Sequence, residues 1–212
     1  MHFFIQYLWE NPKFFLSWML FVVFSVCLHE FVHAYVALKE GDDTAARLGH
    51  LTLNPFKQMG IFSLIMLVFI GFCWGAVPVD PRNFKRKRSD LYVSLAGPLT
   101  NLGLFLVFGL IAGLAFKFFP EYLEGDKGKF FVSMFFQGSL MNMVLFIFNM
   151  LPVPGFDGFS IVHNLLPPEF KNTEFFKGAS IVIIMLAFVF SDKLFYIGQK
   201  AAYILINLVA GM

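Results

Sequence analysis

Residues 14–38 read FFLSWMLFVVFSVCLHEFVHAYVAL, a largely apolar run that contains the titratable side chains of His29, Glu30 and His33. A helix that crosses a bilayer needs about 20 consecutive, mainly apolar residues. The run meets that length. A secretory signal peptide is excluded, because the run is too long and no small-residue cleavage site follows it. The stretch therefore predicts a transmembrane helix that carries ionisable groups.

The composition of the whole chain agrees with a membrane protein. Hydrophobic residues make up 58% of the 212 residues and charged residues 14%, and the mean hydropathy is +0.71. A soluble globular chain carries about 25% charged residues, and a chain of this length could not hide so much apolar surface from water. A soluble enzyme, a disordered linker and a nucleic-acid-binding protein are therefore excluded as classes.

Further apolar runs follow the first one. They cover residues 61–79, 91–119, 130–151, 179–190 and 194–209. The run at 61–79 is interrupted by Gly71, Gly75 and Pro78, and the one at 130–151 ends at a proline cluster, where a helix cannot continue. The connecting loop at residues 39–60 has room for short strands around 48–53. The pattern predicts an all-α polytopic membrane protein with about five to six membrane segments.

The spacing of His29 and His33 is typical of a metal site. Residues four apart lie on one face of a helix, so both imidazoles project the same way. Two neutral imidazoles can bind one zinc ion at about 2 Å, and Glu30 lies close enough to act as general base on a zinc-bound water. The alternative is a pair of histidines that reach the membrane interface from the end of a helix.

Two histidines are one ligand short of a catalytic zinc site, which takes three from the protein. The best candidate for the third is Asp157, which follows the proline cluster after the fourth apolar run. From the residues alone, Asp157 is either an acid directed back into the helix bundle or an ordinary turn residue, because Asp-Gly is a common turn pair. His50 is a further candidate for a metal contact.

Several motifs together resemble the site-2 protease family of intramembrane zinc metalloproteases. They are His29-Glu30-Phe31-Val32-His33, the N-x-x-P-x-P-x-x-D-G pattern at 149–158, and Ala96-Gly97-Pro98 with Asn101. Residues 47–55 and 77–84 resemble the small bacterial branch of that family. The resemblance covers roughly residues 14–166.

The resemblance implies a site and a reaction. His29, His33 and Asp157 are expected to bind one Zn²⁺ per chain, with Glu30 as the catalytic acid/base. Asn149 is expected to position the substrate backbone. Asn101 is a second candidate for that role, and its alternative is a hydrogen bond within the helix bundle.

The expected protein is a single membrane-embedded protease domain over residues 1–212, with a metal-binding core at about 14–166 and C-terminal helices at about 176–211. No stretch has room for the PDZ or CBS domain that many members of the family carry. Its expected partners are the lipid bilayer and a single-span membrane protein as substrate, with no nucleic acid; the oligomeric state is left open. Two alternatives remain: a catalytically inactive relative that binds membrane proteins, and an ion transporter.

The five basic residues within positions 82–88 predict the orientation of the chain. Cytoplasmic loops retain Lys and Arg, so this loop is expected on the cytoplasmic side. The resemblance to the small bacterial branch implies that the membrane is the inner membrane of a bacterium. If one zinc joins residue 33 to residue 157, loops 39–60 and 80–90 lie on the same side. Residues 61–79 then form a re-entrant hairpin, the N-terminus lies outside the cytoplasm, and the active site faces the cytoplasmic side.

Overall fold

The computed structural model describes residues 3–167 and 191–212, together with positions 178, 182, 183, 185 and 189. Ten continuous α-helices occur in these two ranges: α1 (Tyr7–Glu10), α2 (Pro12–Glu40), α3 (Thr44–Arg47), α4 (Pro55–Gln58), α5 (Gly60–Ile70), α6 (Ser89–Phe118), α7 (Pro120–Glu124), α8 (Asp126–Asn149), α9 (Asp157–Leu165) and α10 (Ser191–Ala210). The 3₁₀ turns Phe4–Gln6 and Pro81–Asn83 complete the described elements. The expected all-α class is confirmed. The prediction of short strands around 48–53 is wrong, since those residues form turns, bends and irregular backbone.

Helices α2, α6 and α8 are long and apolar enough to cross a membrane. The hairpin at 61–79 and α10 bring the apolar segments to five. The expected segment at 179–190 and the start of the C-terminal region at 176 lie mostly outside the described residues. The chain is therefore an integral membrane protein, as its composition predicts.

Helix α2 has a defined start and end. The side chain of Asn11 accepts a hydrogen bond from the Phe14 N–H, and Pro12 occupies the first turn, where its missing N–H costs nothing. Gly41 ends the helix with φ 112°, a left-handed conformation that favours glycine. Between these ends lies a 29-residue helix that places His29, Glu30 and His33 in its C-terminal half.

Helix α6 lies at the centre of the bundle and packs against α2, α8, α9 and α10. Small residues permit the close approach: Gly109 faces Leu205 of α10 and Ser139 of α8, and Gly113 faces Val209 of α10. Membrane helices commonly associate through such small residues, because they let the backbones come near. The central position of α6 brings its N-terminal half against the titratable turn of α2.

The chain doubles back between α4 and α6. Helix α5 ends at Gly71, and residues 72–80 then run without regular structure. The Ala76 N–H donates to the Gln58 carbonyl at 3.0 Å, and the Ser63 hydroxyl bonds both backbone groups of Trp74, at 2.7 and 2.8 Å. A single crossing would separate the two ends by about 30 Å. The hairpin expected at 61–79 is thus present as a fold of the chain; its entry into the membrane stays a prediction.

Buried carboxylates hold the loop after α2 to the loop before α6. Asp42, fully buried, accepts hydrogen bonds from the Asp80 N–H at 2.7 Å and the Asn83 amide at 2.9 Å. Burial raises the pKa of Asp42, but these donors and Thr44 outweigh burial and lower it below its ordinary value. Glu40 likewise bonds Arg86 and Ser89. The two loops therefore lie together at one end of the bundle.

Candidate metal centre

Three potential metal ligands meet where α2 contacts the start of α9. His29 Nε2 lies 3.1 Å from Asp157 Oδ2, and His33 Nε2 lies 3.1 Å from Asp157 Oδ1. The two Nε2 atoms are 3.0 Å apart. Both imidazoles are 5% exposed. The structure thus directs Asp157 back into the bundle, one of the two placements that the sequence left open.

The partners of the Nδ1 atoms determine which imidazole nitrogens are free. His33 Nδ1 lies 2.7 Å from the carbonyl oxygen of Val93, which can only accept, so Nδ1 carries the proton. His29 Nδ1 donates in the same way to Asn101 Oδ1 at 2.7 Å. Each Nε2 therefore presents a lone pair. Ligand histidines are oriented by such a bond from the other ring nitrogen.

This arrangement fits a zinc ion. Two Nε2 lone pairs and a carboxylate face one another, and Asp157 Oδ2 is buried without a hydrogen-bond donor. Three electron-rich groups at this distance repel one another unless a cation lies between them. Within the described residues, these side chains are also the one group of three His, Cys, Asp or Glu residues with ligand atoms within 4.8 Å. Imidazole and carboxylate ligands suit zinc.

Gly97 of α6 lies directly against the two imidazoles. A Cβ atom at this position would overlap the Nε2 atoms of both His29 and His33. Only glycine therefore leaves room at the end of the rings that faces the carboxylate. The sequence showed this residue as part of a motif, but only the packing of α6 on α2 shows why it has no side chain.

Glu30 lies beside the ligands and outside their group. Its side chain is 8% exposed, and a Cβ atom at Gly75 would overlap its carboxyl group. The extended segment after Gly71 thus passes across Glu30. The carboxylate is thus largely shielded from bulk solvent, one residue along α2 from His29. A general base has to lie within hydrogen-bond reach of the proton that it takes.

The two asparagines expected to position substrate have different surroundings. Asn101 is fully buried, and its amide bonds His29 and Asn142. Its contacts therefore match the alternative, a hydrogen bond within the bundle. Asn149 is half-buried at the last residue of α8, and its role stays a prediction.

His50 and His163 lie outside the group of three ligands.

Sequence reasoning missed three residues around the ligands. The Val93 carbonyl bonds His33 directly, whereas Asn142 bonds Asn101 and Ser25 bonds Asn142. The Val93 carbonyl leaves no signal in a sequence, since every residue has one. Asn142 could have been found as a polar residue inside the apolar run at 130–151, because such residues are uncommon in membrane spans and usually pair with one another.

The chain is similar to known metalloproteases. The model of peptidase family M50 matches residues 17–191. YwhC of Bacillus subtilis, named as a zinc metalloprotease, is 40% identical over 151 residues, which is 69% of this chain and 68% of YwhC. Rip2 of Mycolicibacterium smegmatis and of Mycobacterium tuberculosis, named in the same way, are 38% and 35% identical over 152 residues. The match covers 68% of this chain and 55% of either Rip2. No solved structure matches the chain.

Proposed function

The chain belongs to peptidase family M50 and is an intramembrane zinc metalloprotease, and on this premise we propose that it cleaves the transmembrane segments of single-span membrane proteins. The observation that carries the proposal is the position of the His29, His33 and Asp157 group. Both imidazoles are buried in the C-terminal half of an apolar 29-residue helix that can cross a bilayer, and the half-buried Asp157 meets them there. A peptide bond that reaches this group has to come from a segment that itself lies in or near the membrane.

We propose that His29, His33 and Asp157 hold the zinc ion and that Glu30 acts on the attacking water. An ion bound by these residues would act as a Lewis acid that lowers the pKa of a bound water and polarises a carbonyl. Glu30 takes the proton from the water and passes it to the leaving amine. The extended segment at Gly75 lies against the Glu30 carboxyl group and leaves little of it open to bulk water.

The substrate span has to unwind before it is cut. A helix keeps its carbonyl groups in internal hydrogen bonds, so none is free to react. We propose substrates with helix-breaking residues near the cleaved bond. Asn149 at the end of α8 is proposed to bond the substrate backbone, since an amide both donates and accepts. Asn101 is proposed to orient His29, because its amide is already bonded within the bundle.

The proposed domain is one membrane-embedded unit. Helix α9, which carries Asp157, packs on α6, and α10 packs on α6 and α8. The metal-binding core at about 14–166 and the described part of the C-terminal region thus share the central helix. The match to a peptidase family gives no support to the alternative of an ion transporter. The alternative of a catalytically inactive relative depends on whether Glu30 acts as a general base.

Cleavage in a bilayer tests the function. The purified protein in lipid vesicles, with a single-span protein that carries Gly or Pro within its span, is expected to release two fragments. A zinc chelator should stop cleavage and added zinc should restore it. The matched control substrate has leucines in place of the Gly or Pro residues and should be cut more slowly. Cleavage that is unchanged after verified removal of zinc would contradict the proposal.

We also propose that the metal site lies toward the cytoplasm of a bacterial inner membrane. The five basic residues at 82–88 favour that side. The loop after α2 bonds the same segment through Asp42 and Asn83, which supports a common side for both loops.

Single cysteines test this orientation in intact cells. Cysteines introduced at Asp43 and at Lys87 are each expected to be shielded from a reagent that does not cross the membrane. A cysteine at Lys127, an exposed position in the first turn of α8, is the control and should react. The unaltered chain gives the background from Cys27 and Cys73. Labelling of only one of the two positions 43 and 87 would refute the hairpin as a re-entrant segment.

A further inference from the structure

A chain of buried amides extends from the metal site into the bundle. His29 Nδ1 bonds Asn101 Oδ1 of α6 at 2.7 Å, and Asn101 Nδ2 bonds Asn142 Oδ1 of α8 at 3.0 Å. Asn142 Nδ2 in turn lies 2.9 Å from Ser25 Oγ and 2.8 Å from the Gly138 carbonyl. The side chains of Ser25, Asn101 and Asn142 are all 0% exposed. Bulk water therefore cannot reach these three side chains to take the place of a lost hydrogen-bond partner.

The direction of every bond in this chain is fixed at its far end. The Gly138 carbonyl can only accept, so the nitrogen of the Asn142 amide has to face it. The Asn142 oxygen then faces Asn101, so the Asn101 nitrogen has to donate the hydrogen bond between the two amides. This leaves the Asn101 oxygen facing His29, so the proton of the neutral imidazole lies on Nδ1 and the lone pair on Nε2. Reversal of either amide would place two acceptors or two donors opposite each other in a buried site.

We infer that Asn142 is a positioning residue for the metal site: it fixes the Asn101 amide and, through it, the tautomer and ring orientation of His29. The side chain of Asn142 bonds Asn101, Ser25 and Gly138, and not His29 itself. It acts from α8 on a ligand of α2 through an intermediate on α6, the helix that packs against both. This inference rests on the proposed role of His29 as a zinc ligand.

Loss of Asn142 would free the Asn101 amide to rotate. The Asn101 nitrogen could then face His29 Nδ1, which would have to become the acceptor and move the proton to Nε2, the atom that faces Asp157. A partner bonded directly to a ligand histidine typically changes metal affinity by about 10–100-fold. We expect Asn101→Leu to fall in that range and Asn142→Leu to weaken zinc binding by roughly 10-fold.

The experiment measures zinc affinity by chelator competition on the purified full chain in detergent, with an unfolding midpoint for each variant. Gln137→Leu is the matched control, because it removes another buried amide of α8, one that bonds Ser133 and not the metal site. The control should bind zinc as the wild type does, within about twofold. Asn142→Thr is a second variant: its hydroxyl can still bond the Gly138 carbonyl but is too short for Asn101.

The double variant separates positioning from a general effect on the fold. If Asn142 acts through Asn101, adding Asn142→Leu to Asn101→Leu should cause no further loss of zinc affinity, whereas a purely structural role would lower it again. Wild-type zinc affinity in folded Asn142→Leu or Asn142→Thr, or additive losses in the double variant, would overturn the inference. Zinc binding by the unaltered chain tests the proposed function itself; a wild type without zinc affinity would overturn both.

Discussion

Glu30→Gln is expected to lower the rate of substrate cleavage by about 10²–10⁴-fold, the contribution of a positioned general base. The amide has nearly the shape of the carboxylate, so the contact with Gly75 and the packing of α2 should persist. His29, His33 and Asp157 keep their ligand atoms, so zinc content should not change. Cleavage rates and zinc content measured on one preparation check both parts.

Glu121→Gln is the matched control for this variant. It makes the same chemical change at an exposed position of α7, in the loop at the other end of α6 from the basic segment. Its activity and zinc content should equal those of the wild type. If Glu30→Gln cleaves at near-normal rates, Glu30 is not the general base. If the wild-type protein itself cleaves no substrate, the alternative of a catalytically inactive protein that binds membrane proteins is favoured.

Asp157→Ala is expected to remove zinc as well as activity. Asp157 contributes the one carboxylate of the group, and its loss leaves two imidazoles, one ligand fewer than a catalytic site needs. Loss of a direct ligand should exceed the effect of losing a supporting hydrogen bond, so we expect zinc affinity to fall by roughly 100-fold or more. Metal analysis of the detergent-purified variant, with chelator competition, measures this.

Asp126→Ala is the matched control, because Asp126 is also the first residue of a helix, α8, and is exposed. Both changes remove a negative charge from a helix N-terminus, so any general effect of that change appears in both variants. Asp126→Ala should keep its zinc. Stoichiometric, tightly held zinc in Asp157→Ala would mean that another residue is the third ligand, and His50 would be the first to test.

The sequence alone predicted the helical class and the long spans. In a bilayer the backbone has to bond within itself, so an apolar run of sufficient length has few choices besides a helix. The helix of residues 12–40 extends the predicted run at 14–38 by two residues at each end. The pairing of His29 and His33 was equally local, because residues four apart share a helix face whatever the rest of the chain does.

The tertiary structure decided what depends on contacts between distant segments. Asp157 lies more than 120 positions beyond His33, and an Asp-Gly pair after prolines is a turn or a ligand according to how α9 packs on α6. The run at 61–79 has the length of a span, and the sequence predicted its return only through the zinc assumed to join residues 33 and 157. The hydrogen bonds of Ala76 with Gln58 and of Trp74 with Ser63 show the return directly.

The same holds for the role of Asn101. As a polar residue in an apolar run, Asn101 could contact either substrate or another helix. The residues next to it in the sequence do not distinguish these two roles. The packing of α6 between α2 and α8 gives it His29 and Asn142 as partners. The sequence by itself determined that the long apolar runs of α2, α6 and α8 are helices and which side chains can bind a metal, since both follow from nearest neighbours along the chain. Which of those side chains meet was decided by helix packing, because a buried amide or carboxylate takes its role from the groups that surround it in space.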